Sequence, residues 1–429
     1  MNALWYYVIG FIVVWVLAYL LKDKYNITMD GIVLMLKTDK LKDVIDRIAN
    51  ACPRFWKWYM NISIPVGIFL IILMVVSLVW SIQLMFETPT VSLILPGVDI
   101  PGSPIYIPFA SGLIALATVL IIHEGGHGIL SRVEGISVDS VGLLLFAIIP
   151  GAFVEPNQDE IDKANGISKL RIYFAGPMFN VGLAIIALLV VAGIGGFLAT
   201  ENVYTTDGME ISSVVPASPA EGILSDGMVI TQVNNQTTLN TTSYTKAVNN
   251  THIGDNLTIA TNSGTYNVVT GSNPNNSTRP YIGIRTQEHK IVSPEAREKY
   301  GTILPAILSQ LEELFSMIFF LNLAVGTFNL LPMKPLDGGL ILEELINIKI
   351  RPDRRKQFND TLNHYTRKLP MNMRCWISRR FNTVLNFISH HEISEKKSGV
   401  MIRTISSIIM VIIVMLLIYG LVPGLLDLL

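Results

Sequence analysis

The chain has 429 residues, 50% of them hydrophobic and only 15% charged, far below the roughly one-quarter charge of an ordinary soluble domain. The net charge of -1 says little by itself because local charge is uneven, and no nucleic-acid partner is expected. Two cysteines, Cys52 and Cys375, lie far apart in basic segments, which excludes a disulfide framework or a cysteine metal site.

Taken from the N-terminus, apolar runs long enough to cross a hydrocarbon core predict about six spans, near 4–21, 61–86, 105–130, 169–198, 312–334 and 401–423. The first run lacks a basic leader and a small-residue cleavage site, so a retained anchor is expected. The segment 22–59 carries Lys22, Lys24, Lys37, Lys40, Lys42, Arg47, Arg54 and Lys57, and 341–400 is richer still in Lys and Arg. The insertion 199–289 holds only Lys246, Arg279 and Arg285. The positive-inside rule then places both basic segments in the cytoplasm, and the insertion and both termini outside. Between the third and fourth spans, 138–156 is apolar, β-branched and broken at Pro150-Gly151. It is too short for a span and suits a re-entrant or interfacial β-hairpin shielded by protein.

The domain plan is therefore 1–104 for the N-terminal spans and first basic loop, 105–198 for core spans, and 199–298 for a small outer domain. A further core span follows over 299–349, then a second basic loop over 350–400 and a last span over 401–429. The outer domain is dense in Asn, Thr, Ser and Gly, with short alternating strands such as 227–233 and 256–260.

The third span contains His123, Glu124 and His127 in the sequence HEGGH. Residues four apart share a helix face, so two imidazoles at that spacing can hold one Zn²⁺. Glu124, beside the first of them, is placed to take a proton from the attacking water. Ionisable groups are costly in a span and usually functional. Catalytic zinc takes three protein ligands. The third candidate is Asp337, in NLLPMKPLDGG, where Pro332, Pro335, Gly338 and Gly339 break the fifth span. Alone, Asp337 reads more readily as an N-cap of the next helix, in a loop at the end of the span. The topology places it and HEGGH at similar depth, near the cytoplasmic ends of their helices.

Together these motifs resemble the site-2 protease family of intramembrane zinc metalloproteases. HEGGH matches its HExxH motif. Asn329, Pro332, Asp337 and Gly338 match its Asn-x-x-Pro…Asp-Gly motif, and AGPMFN with Asn180 matches a third element. The resemblance implies one zinc ion held by His123, His127 and Asp337, with Glu124 as general base. It implies that Asn180 and Asn329 are polar groups orienting substrate or stabilising the oxyanion, the alternative for each being an interhelical hydrogen bond. It also implies that the 138–156 element holds substrate as an added strand. The segment ISSVVPASPAEGILSDGMVITQVNNQ at 211–236 is similar to protease-associated PDZ domains. The expected whole is a polytopic α-helical membrane protein with a re-entrant β-element and a PDZ-like α/β extracytoplasmic domain. Its expected partners are single-span membrane proteins in the cell membrane, cut within the bilayer, with the PDZ domain as filter. A non-catalytic metal-binding scaffold or transporter with a PDZ adaptor is the alternative. Lys334, inside the second motif, is expected to snorkel toward the interface.

Overall fold

The computed structural model describes residues 3–25, 27–31, 33–38, 40–85, 96–98, 106–146, 149–273, 276–350, 356, 360, 363–364, 366–367, 370–387 and 395–426. It divides into two units. One comprises 1–190 and 313–429, the other 191–312, and their boundaries fall within two long helices.

In the first unit, α1 (Ala3–Tyr25) occupies the first expected span. Its side chains are described from Val8 onward. Then come β1 (Ile27–Asp30), β2 (Val33–Lys37), α2 (Lys40–Ala51), α3 (Pro53–Leu84) and α4 (Phe109–Val133). β3 (Val138–Phe146), β4 (Ile149–Pro156), α5 (Gln158–Lys163) and α6 (Gly166–Thr200) follow. Five helices are long and apolar enough to cross a membrane among the described residues: α3, α4, α6, one over Ile303–Phe328 and one over Gly399–Gly420. They turn large apolar side chains outward, with Trp80 62% and Leu189 67% exposed, which suits a lipid-facing surface. Pro53 sits in the first turn of α3, where its missing N–H costs nothing.

The expected hairpin is β3–β4, paired antiparallel from Val138↔Pro156 to Phe146↔Ile149. It belongs to a larger sheet than the sequence suggested. β1 and β2, from the first basic segment, extend it in the order β1-β2-β3-β4, with Leu36 opposite Leu143. β4 is therefore an edge. Asn157 N–H bonds back to Ser137 O at 2.8 Å, toward β3. By alternation, Val154 and Ala152 direct their backbone groups the other way, to the free edge.

The core of this unit gathers Met60, Ile64, Leu130, Leu170, Phe174, Ala175, Met178 and Ile341. A charged knot adjoins it. Arg171, 1% exposed, bonds Glu134 at 3.0 Å and Asn61 at 2.7 Å, and Ser168 also donates to Glu134. Lys57 lies 3.7 Å from the same carboxylate. A buried guanidinium is tolerable when paired and hydrogen-bonded in this way.

The second unit is the expected small α/β domain. β5 (Tyr204–Val214), β6 (Val229–Val233), β7 (Gln236–Thr237), α7 (Thr241–Asn249), β8 (Asn256–Thr261), β9 (Gly264–Val269), β10 (Gly271–Asn273), β11 (Asn276–Tyr281) and β12 (Ile284–Val292) follow in order. The main sheet runs β12-β5-β6-β8-β9, with β7 on β6, and β10 pairs β11 separately. Its core is Met209, Ile211, Leu224, Ile230, Val233, Leu257, Ile259 and Val268. Asn234 and Asn235 take φ of 49° and 61° in the β6–β7 turn, the pattern of a two-residue hairpin loop. α7 starts on a capping box between Asn240 and Ser243. α8 (Pro294–Tyr300) follows, capped by Ser293.

The chain then returns through α9 (Ile303–Phe328), α10 (Asp337–Ile350), α11 (Met371–Phe387) and α12 (Glu395–Leu426). Much of the second basic segment lies outside the described residues.

Candidate metal centre

Between Phe328 and Asp337 the chain leaves helical geometry and doubles back on itself. Gly338 N–H bonds Asn329 O at 2.8 Å and Leu336 N–H bonds Met333 O at 2.9 Å. Gly338 lies so close to the Leu330 and Leu331 carbonyls that a Cβ has no room, which explains why glycine follows the aspartate. The turn delivers Asp337 as the first residue of α10, both an N-terminal helix residue and a side chain aimed at α4.

There it meets the two histidines. His123 Nε2 and His127 Nε2 are 3.4 Å apart. Asp337 Oδ2 lies 3.1 Å from His123 Nε2, and Oδ1 lies 3.4 Å from His127 Nε2. Among the described residues this is the one group of three His, Cys, Asp or Glu side chains placed to hold a metal ion. Zinc bonds of about 2.0–2.1 Å in tetrahedral array put neighbouring ligand atoms about 3.3 Å apart, so the spacing fits. A second observation agrees. Asp337 Oδ2 is buried without a hydrogen-bond partner, although His123 Nε2 is only 3.1 Å away. The atoms converge by distance without the angle an N–H···O bond requires, as ligands converging on a shared ion do. The third observation is a cradle on α6. A Cβ on Gly176 would stand 2.7 Å from His123 Nε2 and collide with His127 Nε2 as well.

The surroundings orient these side chains. His127 Nδ1 is 2.8 Å from Ile172 O, so Nδ1–H donates to that carbonyl and Nε2 keeps a free lone pair. Asn180, wholly buried on α6, sits 3.3 Å from His123 Nδ1. Glu124 is held from the sheet: Val154 N–H on the edge of β4 donates to its Oε2 at 3.0 Å. Asn329 contributes its backbone carbonyl to the turn, and among the described residues its side-chain amide has no hydrogen-bond partner. Of the motif glycines, Gly126 faces Ala175 O at 2.9 Å from its would-be Cβ, so the close neighbour there is α6, whereas Gly125 faces open space. Lys334 has an account of its own: its Nζ pairs with Glu343 on α10 at 2.6 Å, and its N–H bonds Ser406 Oγ of α12 at 3.1 Å.

Apolar helices gathered around an HExxH pair and a carboxylate define the class: a protein with a candidate metal site built on helices able to cross a membrane. Comparison with known sequences narrows the class. Residues 111–366, more than half of the chain, match peptidase family M50, and the chain belongs to that family. It is 33% identical over 173 residues to an uncharacterized protein of Methanocaldococcus jannaschii, covering 40% of this chain and 46% of that one, so it spans about half the length of that relative. It is 26% identical over 325 residues to a Clostridium perfringens protein named "putative zinc metalloprotease", covering 60% of this chain and 92% of that one. It is 26% identical over 202 residues to the membrane-bound transcription factor site-2 protease homolog of Arabidopsis thaliana, covering 46% and 38%. Among solved structures, the PDZ domain of an SdrC-like protein from Listeria monocytogenes aligns at 22% identity and a TM-score of 0.18, over 19% of this chain and 90% of that domain.

Proposed function

We propose that the protein is an intramembrane zinc metalloprotease that hydrolyses peptide bonds within the transmembrane segments of other membrane proteins. The observation that carries this reading is the triad of His123, His127 and Asp337, its atoms 3.1–3.4 Å apart, built on apolar helices with Glu124 beside it. When bound, zinc supplies a Lewis acid that brings a coordinated water's pKa to about 7. The rest falls to the protein. Glu124 accepts a proton from the attacking water as its oxygen bonds to the scissile carbonyl carbon, then delivers that proton to the amine as the C–N bond breaks. Until an added strand claims it, the Val154 amide holds the carboxylate. A helical substrate has its backbone bonds tied up internally and must unwind before cleavage. The free edge of β4, with Ala152 and Val154 facing outward, offers the unwound stretch replacement partners by strand addition.

The distribution of Lys and Arg supports placing this site near the cytoplasmic face, with termini and inserted domain outside and the cell membrane as location. The inserted domain carries the PDZ-like sequence pattern of 211–236, which favours a role in screening single-span substrates.

Purified protein in detergent is expected to carry one zinc per chain and to cleave a single-span test substrate, and chelation should abolish cleavage reversibly. Zinc without cleavage of any single-span substrate would instead favour the metal-binding scaffold. The platform is tested at Val154. Proline is tolerated where a strand's N–H faces outward from an edge, so Val154→Pro should fold and keep zinc. Cleavage should fall about fivefold, the worth of the one backbone hydrogen bond that an added strand then loses. Unchanged turnover would remove β4 from the mechanism.

A further inference from the structure

The amide of Asn180 faces His123 Nδ1, the ring nitrogen whose protonation decides whether Nε2 can ligate a metal. Its Nδ2 stands 3.3 Å from His123 Nδ1, while its Oδ1 is buried with no hydrogen-bond partner. In that orientation the amide donates and Nδ1 accepts. The imidazole proton then sits on Nε2, on the triad side of the ring, where Asp337 Oδ2 lies 3.1 Å away without the angle of a hydrogen bond. That tautomer cannot offer Nε2 to a metal. Ligation through Nε2 requires the proton on Nδ1, which then needs an acceptor. His127 already has one in the Ile172 carbonyl. The only comparable group recorded at His123 Nδ1 among the described residues is Asn180, and a half-turn of its amide brings the orphaned Oδ1 to that position.

We propose that Asn180 is a positioning residue for His123, its amide oxygen accepting from Nδ1–H so that Nε2 is free to ligate zinc. Asparagine suits this role because it offers an acceptor on a planar group of fixed reach. The packing keeps the side chain in place. A Cβ on Gly326 of α9 would stand 3.1 Å from Asn180 Cβ, so α9 presses directly against α6 at this residue. This differs from a role in stabilising the oxyanion, which would require the amide to face the substrate rather than the imidazole. The proposal rests on the reading of the triad as a zinc site.

The test is zinc affinity, measured by competition against a chromophoric chelator on purified full-length protein. Asn180→Leu removes both donor and acceptor and should weaken zinc binding about 10–100-fold, the usual effect of losing an outer hydrogen bond to a ligating histidine. Asn180→Asp keeps an acceptor and should hold zinc at least as tightly as the parent. At saturating zinc, turnover of the leucine variant should return to within a few-fold of the parent. Unchanged zinc affinity with a large loss of turnover would overturn the proposal in favour of the oxyanion role. Equal weakening in both variants would reduce Asn180 to packing. If leucine prevents folding, Asn180→Ala replaces it. Failure of the parent itself to bind zinc would count against the metal reading rather than against Asn180.

Discussion

Gly176→Ala is expected to empty the metal centre while leaving the helices folded. The added methyl would occupy the space between the two imidazole nitrogens, 2.7 Å from His123 Nε2 and closer still to His127 Nε2. Neither side can yield easily. His127 is tied to Ile172 O at 2.8 Å, one turn earlier on the same α6 that carries Gly176. α6 cannot retreat without opening its contact with α4, where Gly126 already lies against Ala175 O. Alanine also stabilises a helix relative to glycine by roughly 0.8–1 kcal/mol, so global unfolding is not the expected route of failure. Zinc content should drop from one per chain to near zero, by more than the roughly 10–100-fold effect of an outer-sphere loss. Gly193→Ala in the same helix, with nothing within 4 Å of the new methyl, is the control and should keep full zinc. A Gly176→Ala protein with normal zinc would show that α6 does not wall the site.

Glu124→Ala should give the opposite pattern, with zinc retained and cleavage lost. The carboxylate is bound to the Val154 amide and is not among the three groups that converge as ligands. Positioned proton transfer typically contributes 10²–10⁴-fold, so turnover should fall to that extent or below detection. Truncation also strips Val154 N–H of its partner, at a cost of about 1–3 kcal/mol. Glu124→Gln keeps an acceptor there and removes only the basicity. Both variants should therefore be inactive, with the glutamine form the more stable. Loss of zinc from either would make Glu124 structural, and full activity in either would end its assignment as the base.

Much of the site was legible because its parts are local. HEGGH is a helix-period motif, and the prolines and glycines around Asp337 announce a broken helix; only topology was needed to bring them to one depth. The groups that finish the site left no such trace. Ile172 and Val154 act through backbone atoms that every residue possesses, so their identities carry no signal. Gly176 stood in a motif read for its asparagine, and its role depends on a neighbouring helix 50 residues earlier in the chain. The four-stranded sheet was half visible. β3 and β4 sit in an apolar, β-branched run, but β1 and β2 are only 4 and 5 residues long. They lie in the first basic segment, and β2 pairs with β3 across more than 100 residues, as Leu36 does with Leu143.

The bond from Val154 to Glu124 has a thermodynamic reading. Val154 owns one amide proton on the free edge of β4, and the carboxylate already holds it at 3.0 Å. A strand added along that edge reaches for the same proton. Filling the edge and freeing the base then become two descriptions of one equilibrium, since a ligand shifts a partner only by competing with it. Under the proposed strand addition, the carboxylate is moored to the sheet while the edge is empty and is released when the edge is filled. Val154→Pro cuts that mooring from the sheet's side, and Glu124→Gln weakens it from the other.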